Sequence, residues 1–508
     1  MQEASRSKKG FRNIAFSFAA SVLSLLLSFV SRAYFIRLLG DEYLGLNGLF
    51  SNVLSFLSLA EMGVGVAINF ALYEPVKDQN EERIKSLMRL YRVFYTRIGL
   101  IVFVAGLILT PLLPYLIRDI PDIPHIYLYF ILYVTNSAVS YLFTYKRSLI
   151  ICDQREYIST ITTFAAKVIV TILQIIVLSL YHSYLWYLIV LIICTLAENV
   201  VISRIVDKEY PYIKEKEYIE LSKNERKGIL RNVYSLICHK IGTVIVFSSD
   251  NIIISRFIGL SAVGFYSNYS LLIHSINTIV NKVFDTLTAS VGNLMVSSKN
   301  EHSKDVLYRM LFANMILYGI TSVFLLNLIE PFIEMWIGAK YIMSKEVLFL
   351  AIISYYLTGM RKSLLVFKDA SGIFRQDQYK PLVEGLANIV YSIPLALKMG
   401  VSGVILGTIL STVTVSFWYE AYVFFKVKYN EKMFHYLLIQ LKYLMFNCVL
   451  WVLSVFISEY ISLPGLLGFG AKGVICFVLF TISIIIMFGK SEEFSYFCHL
   501  LKGIRYRK

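Results

Sequence analysis

"SFVSRAYFIRLLGDEYLGLNGLF", residues 28–50, reads as the end of one hydrophobic helix, a two-residue acidic turn and the start of another. Arg32 and Arg37 sit among side chains that would suit lipid. An arginine at the centre of a bilayer costs about 2.5–3.5 kcal/mol on insertion scales. The stretch therefore raises two questions, whether the chain spans a membrane and what repays the charge.

Composition answers the first. The chain has 508 residues, 57% hydrophobic and only 16% charged, with a mean hydropathy of +0.64. A soluble chain of this length needs more charge to cover its surface. Apolar runs recur from end to end, each long enough to cross a hydrocarbon core about 30 Å thick. The ~10-residue alternating segments of a β-barrel are absent from the pattern. The sequence predicts an all-α polytopic membrane protein of about fourteen transmembrane helices. The spans fall near 13–39, 44–72, 91–117, 124–149, 158–180, 184–205, 229–258, 262–294, 307–333, 347–368, 380–398, 402–426, 435–458 and 470–489.

The net charge of +15 does not point to nucleic acid, because the basic residues crowd into alternate short connections. One set ("KDQNEERIKSLMR", "KRSLIICDQR", "KVKYNEK", "KGIRYRK") is strongly basic, and the other ("GDEY", "RDIPDIPH", "YHSY", "KMGVSG") is sparse. The positive-inside rule places both termini in the cytoplasm, and the start "MQEASRSKKGFR" reads as a retained first helix. The six cysteines form no C-x-x-C, and reduced thiols are expected. No metal-ligand spacing, G-x-S-x-G or P-loop occurs, so no catalytic residue, metal or cofactor is expected.

The second half repeats the first. At a shift of 219, Arg12, Arg37, Gly40, Gly45 and Ser51 fall on Arg231, Arg256, Gly259, Gly264 and Ser270. At 220, Arg89, Gly99 and Pro111 fall on Arg309, Gly319 and Pro331, and at 222 Lys146, Gln154 and Tyr157 fall on Lys368, Gln376 and Tyr379. Six spans separate the copies, so both have the same orientation, the arrangement in which two lobes rock around a central site. The expected organisation is an N-terminal lobe 1–206, a charged cytoplasmic linker 207–227, a C-terminal lobe 228–430, and two helices with a tail in 431–508.

The six-plus-six-plus-two layout and the block LG-x-EYLGLNGLF…LSLAE-x-G-x-G at Leu39–Gly65 closely resemble the polysaccharide-unit (Wzx-type) flippases of the multidrug/oligosaccharidyl-lipid/polysaccharide exporter superfamily. The resemblance implies a flippase that carries undecaprenyl-diphosphate-linked oligosaccharides from the cytoplasmic to the periplasmic leaflet of a bacterial inner membrane for surface polysaccharide synthesis. It implies alternating access through a central, often cationic cavity lined by the first helices of both lobes. The partners would be the polyprenyl-diphosphate-linked oligosaccharide and the bilayer, with a polysaccharide polymerase and chain-length machinery as further candidates, and the chain would work as a monomer. A cation-coupled multidrug exporter of the same superfamily is the alternative, and a membrane-embedded polymerase or acyltransferase is a third.

Charges at depth supply the candidate site. Arg32, Lys167 and Lys240 lie well inside their spans, and Arg361 and Lys362, adjacent in one span, point about 100° apart. With Asp250 they form the expected substrate-binding set. Arg32 has two explanations, a diphosphate partner or a salt bridge to Asp250, which adjoins its repeat mate Asn251. Arg37 and Arg256 are near enough to the membrane surface to snorkel. Glu61 and Lys282 occupy nearly equivalent places in the repeat and are expected to pair as a cytoplasmic gate, with a Lys282–Asp285 pair within one helix as the alternative. Pro111, Pro114, Pro331 and Pro394 are expected to end helices.

Overall fold

The computed structural model describes residues 2–58, 61, 64–118, 123–215, 219–297, 300–373, 376–461 and 463–505. Side chains are described throughout except at 2–18, 66–67, 226, 230–240, 242–243, 247, 289, 293, 296–297 and 500–505. Among the described residues every regular element is helical, and the chain is a multi-pass membrane protein. Ten helical stretches are long and apolar enough to cross a bilayer. The second, seventh, eighth and tenth expected spans are not among those ten. The second and tenth are each divided into two helices, and the seventh and eighth are long continuous rods.

Two compact units divide the chain, Met1–Gly264 and Phe265–Lys508. The first is built from α1 (Gln2–Leu39), α2 (Asp41–Leu57), α3 (Val64–Lys77), α4 (Glu81–Leu109), α5 (Leu113–Leu116), α6 (Ile126–Cys152), α7 (Glu156–Tyr181), α8 (Tyr184–Glu209) and α9 (Lys223–Phe257). Local chemistry sets the boundaries. Gly40 turns the chain between α1 and α2 with φ +89° and ψ −178°, a conformation available essentially only to glycine. Asn80 Oδ1 accepts the Arg83 amide at 3.0 Å to start α4, and Ser222 with Glu225 closes a reciprocal capping box on α9. α9 packs on α2 and α3, so the compact unit extends one rod beyond the sequence repeat.

Gly45 and Gly264 are repeat mates, and within this unit they touch. A Cβ on Gly45 would lie 1.9 Å from the Leu260 carbonyl oxygen, and one on Gly264 would lie 2.6 Å from the Asp41 carbonyl oxygen. Both positions need glycine because backbone meets backbone there.

The second span, expected to run unbroken over 44–72, is interrupted. Between α2 and α3 the Glu61 amide donates to the Ser58 carbonyl at 3.0 Å and the Val64 amide to the Glu61 carbonyl at 2.9 Å. These turn bonds replace helical ones, and Tyr91 Oη donates to the Gly65 carbonyl at 3.0 Å. Backbone that leaves a helix at membrane depth must find such partners.

The second unit holds α10 (Leu260–Ser297, from Phe265 onward), α11 (Asn300–Ile337), α12 (Lys345–Met360), α13 (Lys362–Ala370), α14 (Lys380–Met399), α15 (Val401–Ser411), α16 (Trp418–Phe424), α17 (Phe434–Glu459), α18 (Gly465–Phe488) and α19 (Glu492–Arg505). A π-helical stretch, Thr412–Phe417, joins α15 to α16. The helices beyond the repeat, α17 and α18, dock on α11. There the fully buried Trp451 donates Nε1–H to Ser322 Oγ at 2.9 Å, and Asn447 donates to Tyr356 Oη at 2.9 Å.

The prolines divide. Pro111 and Pro114 lie where α4 gives way to a 3₁₀ turn and α5, as expected. Pro331 and Pro394 instead lie inside α11 and α14, which continue beyond them. Packing against neighbouring helices lets a membrane helix tolerate the missing hydrogen bond.

Candidate functional site: polar clusters inside the two units

The sequence-predicted residues fall into four places. In the first unit, α7 turns one face to lipid and one inward. Ile161, Ile169, Ile172, Leu173, Ile176 and Leu180 are exposed, whereas Val170, Thr171, Gln174 and Leu178 are buried. At 100° per residue Lys167 falls on the buried side, between Thr163 and Thr171. Among the described residues no side chain lies within ion-pair or hydrogen-bonding distance of its ammonium group. About 6 Å along the axis on one side, Arg147 Nη2 and Thr163 Oγ1 both donate to Glu198 Oε1, at 2.7 and 2.8 Å. About 10 Å along on the other, Gln174 Nε2 donates to the Tyr187 carbonyl at 3.5 Å.

Arg32 belongs with Gln174 and Tyr187 at this end of α7. α1 packs along α7, and Arg32 lies in the neighbourhood of Tyr187. One turn on, the Phe35 ring meets Tyr184 and Tyr187 edge-on, with centroids 5.9 and 5.1 Å apart. Among the described residues the inner side of the first unit thus carries a polar stripe containing three cations, Arg147 paired with Glu198, Lys167 and Arg32. Asp250, on α9, lies in the same unit and is half-buried. The Lys240 side chain lies outside the described residues.

Glu61 sits in the break between α2 and α3. The hydroxyls of Tyr141 and Tyr95 lie beside its carboxylate. Tyr141 Oη also reaches Ser58 Oγ at 3.0 Å, and the neighbouring Tyr91 hydroxyl contacts Ser148 Oγ at 3.1 Å and Asn69 Oδ1 at 3.3 Å. The acid is surrounded by neutral tyrosines from α4 and α6, a setting that pattern reading did not anticipate. Its expected gate partner Lys282 belongs to the second unit.

In the second unit Arg361 and Lys362 are engaged by acids. Arg361 grips Glu420 with two parallel bonds, Nε to Oε2 at 2.9 Å and Nη2 to Oε1 at 2.7 Å, and Nη1 reaches Glu384 at 3.3 Å. Lys380 adds a 2.5 Å contact to Glu420 and one of 3.4 Å to Glu384. Beside them Lys368 pairs with the buried Asp377. The helix junction that carries Arg361 is itself satisfied. Asn314 Nδ2 donates to the Gly359 and Met360 carbonyls at 3.1 Å each, and Gln440 Nε2 donates to Met360 at 3.2 Å. Lys362 pairs with Asp285 at 2.8 Å, so Asp285 takes a partner from another helix. Arg361 is therefore a buried charge matched by two acids that binds helices together, and Lys362 is a partly exposed one matched by a single acid, so neither is an unpaired cation in this structure. The physical reason is that a buried guanidinium is stable only with its charge matched and its donors filled.

Glu420 is the residue that sequence reading missed. A signal was present, because the shift of 222 that aligns Lys146 with Lys368 also aligns Glu198 with Glu420. Each member of that pair is the acid that holds an arginine in its own unit.

With this geometry in place, comparison with known proteins is specific about fold. A family model described as "Polysaccharide biosynthesis protein" matches residues 11–288. No curated protein matches the sequence. Among solved structures, the lipid II flippase MurJ in an inward closed conformation aligns over 94% of this chain and 99% of its own, with a TM-score of 0.66 and 14% identity. An inward-facing multidrug resistance MATE family transporter of the MOP superfamily aligns over 82% of this chain and 100% of its own, with a TM-score of 0.60 and 12% identity. A mutant of the Vibrio cholerae MATE transporter VcmN aligns over 85% of this chain and 99% of its own, with a TM-score of 0.56 and 15% identity. At such identities the likeness is one of fold, an all-α membrane fold shared by lipid flippases and drug exporters.

Proposed function

Because this chain belongs to the polysaccharide biosynthesis protein family, we propose that it is a flippase that moves a polyprenyl-diphosphate-linked oligosaccharide from the cytoplasmic to the outer leaflet of a bacterial inner membrane, with both termini cytoplasmic. The observation that carries this is Lys167, a cation at mid-span on the inward face of α7 without a paired acid among the described residues. An ammonium group at depth is expensive unless something answers its charge, and a diphosphate passing through would do so. Arg32, about 10 Å from the outer end of α1, is assigned the second contact, because a guanidinium grips phosphate oxygens in pairs. Lys240 and Asp250 complete the proposed cavity, and a Glu61–Lys282 pair its gate. Transport of this kind moves a headgroup without making or breaking a bond, so no residue is assigned a catalytic role.

The competing reading, a cation-coupled multidrug exporter, draws on Glu61, since an acid ringed by tyrosines suits an organic cation. Reconstitution separates the two. Proteoliposomes loaded with a labelled polyprenyl-diphosphate oligosaccharide should expose it on the opposite leaflet within the assay, and ethidium-like cations should not be moved. Cation transport without oligosaccharide exposure would overturn the proposal.

A further inference from the structure

The first unit carries a basic groove outside the polar stripe. Its deeper part is a cavity of about 330 Å³ walled by α4, α6, the end of α8 and the 3₁₀ turn Pro211–Lys214 that folds back over α4. Among the described residues Lys85, Arg89, Arg92, Lys146 and Lys214 line it together with two carboxylates, Asp207 and Glu215. Those carboxylates are already engaged, Asp207 with Lys146 at 2.5 Å and Glu215 with Lys85 at 2.8 Å. The cavity opens along α4 into a second depression lined by Arg89, Arg92, Val93, Thr96 and Arg97. Among the described residues Arg92 and Arg97 have no acid within ion-pair distance, and both are exposed.

The apolar run on the C-terminal side of these arginines sets their level in the bilayer. From Ile98 to Leu116 the chain runs nineteen residues without a charged side chain, about 28 Å of helix, which matches the hydrocarbon core. Arg97 therefore marks the edge of the hydrocarbon on the side of the basic connections, and Arg92 lies about 7 Å further out. The headgroup layer is about 5–7 Å deep on each side, so the two arginines bracket the level of lipid phosphates. The same face of α4 continues into the membrane as an exposed apolar stripe, Leu100, Val104 and Ile108, at 63%, 46% and 64% exposure. At 100° per residue these fall within about 100° of arc with Arg89, Val93 and Arg97. A bound molecule thus meets cations at one end and a lipid-facing groove at the other, which excludes a soluble anion as the best fit.

We propose that this groove on α4 is a docking site for the headgroup of a polyprenyl diphosphate, with Arg92 and Arg97 holding the phosphates and the chain lying along Leu100, Val104 and Ile108. The choice of a diphosphate over the single phosphate of a bulk lipid rests on the transport reading together with the surplus of at least two positive charges. Arg92 lies about 140° around the helix from Arg97 and about 7 Å further out, so the two guanidinium groups flank one depression floored by Val93 and Thr96 and would close on a doubly charged headgroup from two sides, a better match than a single phosphodiester.

The test is binding, measured without transport. The purified full chain in phosphatidylcholine nanodiscs is titrated with fluorescent undecaprenyl diphosphate, alongside Arg92→Gln/Arg97→Gln and Arg92→Lys/Arg97→Lys. Both side chains are exposed, so the variants should melt at the temperature of the parent chain. Affinity should fall at least about tenfold in the glutamine pair and less in the lysine pair, as expected when a forked donor is replaced by a point charge. Equal affinity in all three chains overturns the site. Displacement by phosphatidylglycerol at equal mole fraction overturns the diphosphate assignment, and equally tight binding of inorganic pyrophosphate overturns the lipid assignment. Arginine-dependent binding in a chain that moves no oligosaccharide would refute the transport reading and leave the site standing. Oligosaccharide transport with unaltered binding in the glutamine pair would do the reverse.

Discussion

Arg361 and Glu420 meet side by side, guanidinium edge to carboxylate, at 2.9 and 2.7 Å. Their side chains are only 12% and 1% exposed. Glu420 also accepts Lys380, so one acid sits at the centre of three helices, joining the α12–α13 junction and α14 to α16.

Removing that acid should therefore unfold rather than merely inactivate. Glu420→Gln leaves a buried arginine and lysine sharing Glu384 alone, one positive charge unmatched, and losing one partner of a buried pair costs about 3–5 kcal/mol. The expected outcome is a lower melting temperature in detergent and reduced membrane abundance. Arg361→Met combined with Glu420→Met should recover part of the loss, because two apolar side chains leave no orphaned charge. A Glu420→Gln protein as stable as the parent would show that the pair is not structural.

Lys167 should behave in the opposite way. Among the described residues it satisfies no acid, so Lys167→Gln strands nothing and should leave abundance and melting unchanged. If the ammonium group meets a diphosphate, transport of the oligosaccharide should drop at least about tenfold, since a charge-assisted hydrogen bond contributes roughly 1.5–3 kcal/mol. Lys167→Arg should keep part of the activity. The pair Arg32→Gln and Arg32→Lys should show the same order in transport assays at matched membrane levels. Full transport by both glutamine variants would remove the polar stripe from the mechanism.

The sequence made the architecture readable and most of the site unreadable, for a physical reason. Hydropathy depends on composition along the chain, and it placed ten of the membrane-crossing helices found among the described residues. Which intramembrane charge is paired depends on the direction of a side chain and on helices far away in sequence. Arg361 and Lys167 look alike in a hydropathy plot, yet one is gripped by two acids and the other by none among the described residues. The break after Leu57 left a weak signal, Glu61 with Gly63 and Gly65, because glycine costs a helix only about 1 kcal/mol and no proline marks the place. The turn there is held by Tyr91 from another helix.

Glycines offer a clean contrast in stability. A methyl group on Gly45 would press on the Leu260 carbonyl, and backbone on both sides would have to move. Gly45→Ala should destabilise by about 1–3 kcal/mol, the usual cost of overpacking. Gly228, in α9, has nothing within 4 Å of an added Cβ, so Gly228→Ala should be neutral or stabilising by up to about 1 kcal/mol through helix propensity. Thermal unfolding of the two variants side by side measures both, and a destabilised Gly228→Ala with an unaffected Gly45→Ala would contradict the packing described.

The segment after α8 is tied to α4 by charge, and the tie should release in acid. Arg83 Nη2 lies 2.7 Å from Glu225 Oε1, and the Arg83 guanidinium, followed by the Ser222 hydroxyl and amide, holds the Glu225 carboxyl down to about 2. A carboxylate whose pKa is depressed on folding contributes above its ordinary pKa, and the contribution is lost as pH falls toward the folded value. The tie should therefore be intact at pH 5 and above and weaken progressively from about 4.3, the ordinary glutamate value, down to about 2. Both side chains are partly exposed, so salt should weaken it as well. Pepsin, active across this range, should cut near residues 219–222 faster at pH 2 than at pH 4, relative to an unrelated site elsewhere in the chain. Arg83→Gln should return the Glu225 carboxyl toward its ordinary value and move the onset of cleavage to higher pH. Cleavage with the same pH profile in both chains would mean that another contact holds the segment, with Ser86 Oγ to the Ile219 carbonyl at 2.5 Å as the one to test next.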